Sequence, residues 1–140
     1  MSIYDPAATG RHLNIPEAIA REEGWNLTPP ARCRRNCNPG NIVYGKFAEV
    51  NGGSLETGPE PRFAAFPDAP TGFAALVALL GTSRYAGKSL SNAIENWAPP
   101  VENQTSQYLA NVCTWTGLTP DTIIDGYLGQ ESPAVSSEAS

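Results

Sequence analysis

Asn14-Ile-Pro-Glu-Ala-Ile-Ala-Arg-Glu-Glu-Gly-Trp25, a proline- and arginine-rich link, and then Arg35-Asn-Cys-Asn-Pro-Gly-Asn-Ile42 form the stretch on which the reading of this chain turns. Asn14 stands where a helix N-cap should. Pro16 falls in the first turn, where its missing N–H costs nothing. The helix is expected to run to about Glu23. At 100° per residue Ile15, Ile19 and Glu23 fall at about −40°, 0° and +40° on one stripe, while Glu22 lies at about −60° on the edge shared with Ala18. Glu23 is therefore the acid pointed inward. Gly24 can take the left-handed conformation that ends a helix. A carboxyl there meets the negative end of the helix dipole and apolar neighbours, which together favour the protonated form that a general acid needs. The competing reading makes Glu22 and Glu23 surface acids paired with Arg21 or Arg32.

Working outward, residues 1–13 lack periodicity and read as an arm, loose or draped on the surface. Leu27 to Ala31, with Pro29 and Pro30, is a link. Asn36, Asn38 and Asn41 alternate with Pro39 and Gly40 in a turn whose amides either close the backbone or face a ligand. Short strands are expected at Ile42–Tyr44 and Phe47–Val50, joined at Gly45-Lys46, with a returning strand over Arg62–Phe66; Asn51–Ser54 and Thr57–Pro61 read as turn and loop. From Ala69, Phe73, Leu76, Val77 and Leu80 recur at core-helix spacing. Ser89 caps a second helix that buries Leu90, Ala93, Ile94 and Trp97. Thr105–Thr116 is a third, stopped by Gly117, and Thr119-Pro120 opens a short fourth running to about Tyr127. The predicted organisation is an arm (1–13), one α+β domain (14–128) and a disordered tail (129–140).

Length and composition agree with one such domain. The 140 residues carry 41% hydrophobic and 16% charged side chains, with 13 Gly and 13 Pro, which implies many turns and several short elements. A net charge of −5 argues against nucleic acid as the main partner, because phosphate binding draws on Lys and Arg. Arg21, Arg32, Arg34 and Arg35 are the local exception, forming a basic rim or pairing with nearby carboxylates. Three cysteines cannot all pair with one another. One histidine, His12, and the spacing of Cys33, Cys37 and Cys113 do not suit a zinc site, so structural thiols are expected, with a Cys113 bridge to Cys33 or Cys37 open only in an oxidising compartment. The longest apolar run, Phe73–Leu80, is far short of the roughly 20 residues that span a bilayer. No basic region followed by an apolar run opens the chain. The expectation is synthesis in the cytoplasm without a signal peptide and no stable membrane insertion.

Four blocks, Ala18–Gly24, Arg35–Ile42, Gly72–Leu76 and Trp97–Tyr108, resemble in order the segments of small phage and prophage muralytic proteins of the lysozyme superfamily. The likeness spans roughly residues 14 to 125. It implies a lysozyme-like fold, mainly helical, with a small antiparallel sheet lining a substrate cleft. It also implies a peptidoglycan glycosidase cutting between N-acetylmuramic acid and N-acetylglucosamine, with Glu23 as general acid. Asn36, Asn38, Asn41, Tyr44 and Thr105 would bind substrate, unless the amides only close their turn. Tyr108 would reach the catalytic carboxyl, as in related lytic transglycosylases, or serve as a core aromatic. A second carboxylate is required by most glycosidases. Candidates are Glu102, which could instead cap the helix near Thr105, and Asp68; without one, the substrate's acetamido or 6-hydroxyl group would serve and the enzyme would be a lytic transglycosylase. Other readings are a virion component that binds peptidoglycan without cutting it, or an interface module using Trp25, Trp97 and the arginines. No metal or organic cofactor is implied, a monomer is expected, and delivery would need a holin-type pore, lysis or carriage in a virion.

Overall fold

Helix formation begins at Asn14. Its side chain accepts from the Glu17 N–H at 2.9 Å while the Glu17 carboxylate reaches back to the Asn14 N–H at 2.9 Å, a reciprocal cap that opens α1 (Ile15–Glu22) in this computed structural model. The structure describes residues 4–99 and 104–129. The Glu17 side chain is fully buried, and its charge is matched by Arg11, at 2.8 and 2.9 Å, and by the Asp5 N–H. Together these hold its carboxyl below the usual range against the cost of burial. Residues of the arm lie along α1: Arg21 donates to the carbonyls of Pro6 and Ala8, and Asn26 donates to Pro6.

The apolar stripe of α1 packs chiefly on α6 (Thr105–Thr116) and also meets α4 (Ala69–Leu80). Ile15, Ala18 and Ile19 join Leu76 and Leu80 of α4, Leu90 and Ile94 of α5 (Leu90–Trp97), and Val112 of α6 in the largest core. Each such aliphatic side chain contributes about 1.5–3 kcal/mol by leaving water. Asp68 caps α4 through the Thr71 N–H, Ser89 caps α5 through the Asn92 N–H, and Gly117, at φ 74°, stops α6. Gly72 permits a close backbone approach: a Cβ there would lie 1.8 Å from the Cys37 carbonyl oxygen. That contact seats α4 directly against the asparagine-rich turn.

Between α1 and α4 the chain forms α2 (Arg32–Arg35), α3 (Lys46–Val50) and a two-stranded antiparallel sheet, β1 (Ser54–Leu55) with β2 (Ala64–Ala65), with Ser54 opposite Ala65 and Leu55 opposite Ala64. The architecture is α+β, with six α-helices and this small sheet among the described residues. Strand placement differs from expectation. Phe47–Val50 lies within α3, because Ala48 buries itself completely and its carbonyl accepts from Gly53, closing a helical turn. Strand propensity is a weak prior against such local closure. Ile42–Tyr44 makes a single bridge, Val43 to Phe63, and the partner of Ala64–Ala65 is instead Ser54–Leu55, the last residue of the predicted turn and the one after it. Arg32–Arg35, expected as part of a link and turn, is one helical turn. After Gly117 the predicted fourth helix is a turn followed by a 3-10 segment, Ile124–Tyr127.

Cys33, Cys37 and Cys113 are free thiols, and burial pushes the Cys33 thiol up to about 11. Among the described residues no helix is long and apolar enough to cross a membrane. The expected tail from 130 onward lies outside the described residues.

Candidate active site

Glu23 closes α1 as its C-cap, and Gly24, at φ 105°, turns the chain away toward Trp25. The end of the helix thus leaves the Glu23 carboxylate at the edge of the core rather than inside it. Two donors from distant parts of the chain meet it. Tyr108 Oη on α6 donates to Oε2 at 2.8 Å, and Asn41 Nδ2 donates to Oε1 at 3.1 Å. Tyr108 is buried. Burial, with the charge and hydrogen bond of Glu23 behind it, raises the tyrosine pKa well above its ordinary value, so the hydroxyl remains a donor across the working pH range.

An open cleft of about 360 Å³ begins at this carboxylate. Ile42, Val43, Arg62 and Phe63 contribute to it from the sheet side, and Leu79, Tyr85 and Trp97 from the helical side. Tyr85 and Trp97 pack edge to face at 5.8 Å between ring centres. Gly40 also lines the cleft, and a Cβ there would press to 3.0 Å against Leu76 and Trp97.

Glu22 faces another way. Asn111 Nδ2 donates to its Oε1 at 2.9 Å, and Gln107 Nε2 donates in turn to Asn111 Oδ1 at 2.8 Å. Burial raises the Glu22 pKa, the Asn111 bond opposes the rise, and the nearby Glu23 charge adds to it. Geometry takes precedence over titration in choosing a proton donor. Glu23 opens on the cleft, whereas Glu22 is docked on α6.

The three turn asparagines divide by role. Asn38 is wholly buried and fully used: its Nδ2 donates to the Ile42 and Ala64 carbonyls, and its Oδ1 accepts from the Ile42 N–H. Asn36 donates to Glu56 at 2.9 Å. Asn41 alone reaches the acid. It does so from a left-handed backbone, φ 48°, and its Oδ1 is buried with no partner among the described residues. Tyr44 packs on the small core under the sheet, and its N–H bonds the Arg62 carbonyl. Thr105 gives its hydroxyl to the Ala98 carbonyl, fastening the start of α6 to the end of α5. Asp68 is committed to its helix cap. Glu102 lies outside the described residues.

The arginines of the suspected basic rim are consumed internally. Arg32 pairs with Glu56, Arg34 donates to the Trp25 carbonyl and stacks on its ring, Arg35 donates to Pro30, and Arg21 holds the arm. Arg62, Phe63 and Tyr85 were not anticipated as cleft residues. Only the placing of the first two at the start of the predicted return strand, in a small sheet expected to line the cleft, hinted at it. Chemically, the arrangement offers one carboxyl, donors fixed on both its oxygens, and aromatic and aliphatic surface beside it. That set can transfer a proton to a bound group and hold the carboxylate that results. No family model matches this chain, and no curated protein matches it.

Proposed function

We propose that this protein is a peptidoglycan glycosidase of lysozyme-like fold that cleaves between N-acetylmuramic acid and N-acetylglucosamine, with Glu23 as the general acid. The observation that carries the reading is the clamp of Tyr108 and Asn41 on the Glu23 carboxyl at the head of the cleft. When Glu23 protonates a glycosidic oxygen, negative charge develops on its own two oxygens. Tyr108 and Asn41 are already aimed at them, so both hydrogen bonds strengthen as the bond breaks and no reorganisation is needed. The aromatic rings of Tyr85 and Trp97 suit the apolar faces of sugars. A helix ending in an acid, with a small antiparallel sheet across the cleft from the other helices, supports the lysozyme-like reading of the fold.

Lytic transglycosylase chemistry is the second reading, and a specific observation favours it. Glu23 is the one carboxylate among the described residues lining the cleft, and a tyrosine hydroxyl sits on it. The substrate's acetamido or 6-hydroxyl group would then complete the reaction. Mass spectrometry of digested wall separates the two, because an anhydro end is lighter than a reducing end by one water.

Clearing of bacterial wall suspensions tests the proposal itself. The parent and Glu22→Gln should clear, and Glu23→Gln should not. Clearing by Glu23→Gln would rule out its role as the acid, and wall pull-down without clearing by the parent would mark a binder rather than an enzyme. On this reading the protein reaches the wall by a holin-type pore, lysis or virion carriage.

A further inference from the structure

The chain has nine basic side chains, all among the described residues. Eight of them reach a protein oxygen. Arg11 and Arg32 pair with Glu17 and Glu56, Lys46 lies 3.9 Å from Glu49, and Arg21, Arg34, Arg35, Arg84 and Lys88 donate to backbone carbonyls. Arg62 is the exception: its guanidinium contacts the Phe63 ring at 5.0 Å and no oxygen among the described residues.

One neighbouring carboxylate, whose oxygens meet the Arg62 backbone, is already saturated. Glu56 accepts from the Arg32 side chain with both oxygens, from Asn36, and from the backbone N–H groups of Arg62 and Phe63. A carboxylate has about four lone-pair sites, so none remains for the Arg62 guanidinium. The same contacts fix the Arg62 backbone on one side, and the Tyr44 N–H bond to its carbonyl fixes it on the other. Phe63 then serves as a platform with the Arg32 guanidinium 4.7 Å from its centre. Two cations share one ring, but only Arg32 is neutralised. Arg62 and Phe63 line the cleft that contains Glu23, and so does Val43, which is half exposed. In a protein of net charge −5, an exposed guanidinium that meets no oxygen among the described residues, on a residue whose backbone is held at the cleft, is suited to an anion.

We infer that Arg62 forms a carboxylate subsite of the cleft, which takes a lactyl or peptide carboxylate carried by the glycan and makes the protein prefer carboxylate-bearing glycan over neutral glycan. This rests on the glycosidase reading. Planar bidentate recognition suits a carboxylate, and Val43 and Phe63 offer apolar surface to the methyl groups beside it.

The test uses the full chain carrying Glu23→Gln, so that binding is read without turnover, with Arg62 either retained or changed to Gln. Three probes are titrated by calorimetry: muramyl glycan fragments with free carboxylates, the same fragments with carboxyls amidated, and N-acetylglucosamine oligomers of equal length. With Arg62 present, the free-carboxylate fragment should bind about tenfold tighter than the amidated one, and the ratio should shrink as salt rises. With Arg62→Gln the ratio should fall to near one. An unchanged ratio in Arg62→Gln, while the parent clears walls, overturns the subsite and leaves the glycosidase reading standing. A parent that neither binds any of the three probes nor clears walls overturns both.

Discussion

Tyr108→Phe is the most informative single change, because it removes one oxygen and leaves the ring in its core position. The lost group donates to Glu23 Oε2 at 2.8 Å and has burial on its side, so the bond it makes to a carboxylate is of the charge-assisted kind. Such bonds contribute about 1.5–3 kcal/mol. If that contribution is realised as the carboxylate forms in the transition state, kcat falls by about 10- to 150-fold at ~1.36 kcal/mol per factor of ten. KM should change little, since the donor acts on charge that develops at Glu23 during bond cleavage rather than on substrate binding. Stability should fall by only about 1 kcal/mol, because the ring still fills its place and one hydroxyl's bond is lost. Initial rates of glycan-end release from soluble wall fragments, alongside a thermal melt of the same preparation, read both quantities. A Tyr108→Phe protein that melts near the parent and keeps more than half its kcat, while Glu23→Gln is dead, would reduce Tyr108 to a core aromatic and remove the support it gives to the proposed acid.

Two further outcomes follow from the site and its scaffold. Asn41→Gly relieves a left-handed backbone and deletes an unpaired buried acceptor, at the cost of added freedom in the unfolded chain, so a net gain of about 1 kcal/mol in urea unfolding should accompany a rate loss of about tenfold; a protein that is both less stable and fully active would contradict this. Glu17, whose carboxyl lies below its ordinary value of 4.5, stabilises the fold fully above that value and loses its contribution as pH falls through its lower folded value. Glu17→Gln should therefore cost about 3 kcal/mol at pH 7 and progressively less on acidification, and a cost independent of pH would show that the Arg11 pairing contributes nothing.

How much was legible in the sequence depended on whether the deciding interaction was local. Asn14, Ser89 and Gly117 signal helix ends through contacts within a turn of themselves, and all three stand where spacing predicts. The stripe of Ile15 and Ile19 was readable for the same reason, since periodicity reports a helix's own geometry. The reciprocal role of Glu17 could also have been read from the Asn14-x-x-Glu17 spacing. The sheet was misplaced because Phe47–Val50 has strand-like composition but gains more by burying Ala48 in a helical turn, which depends on Gly53 and the small core. Nothing local distinguishes Arg62 from the other arginines. Its status follows from Glu56 being filled by Arg32, a partner 24 residues away from that acid.

Asn38 and Asn41 show why residue type alone could not divide structure from chemistry in the decisive turn. Asn38 spends three hydrogen bonds on backbone groups that would otherwise be buried unpaired, two of them on Ile42 and one on Ala64, and so ties the turn to β2. At about 1 kcal/mol each, these bonds contribute enough to offset the local costs of the turn. Those costs are left-handed conformations at both Cys37 and Asn41, and the orphan acceptor of Asn41. Gly72 completes the arrangement by letting the α4 backbone abut the Cys37 carbonyl, so the turn cannot relax away from the helix. The strain is thus confined between two fixed points, and its one outward result is an amide held 3.1 Å from the Glu23 carboxylate. A turn that needed only to reverse the chain would have no reason to retain an amide whose oxygen is buried without a partner, since glycine would fit the backbone at lower cost. The expense is intelligible if the amide's task is to meet a carboxyl that changes charge during a reaction.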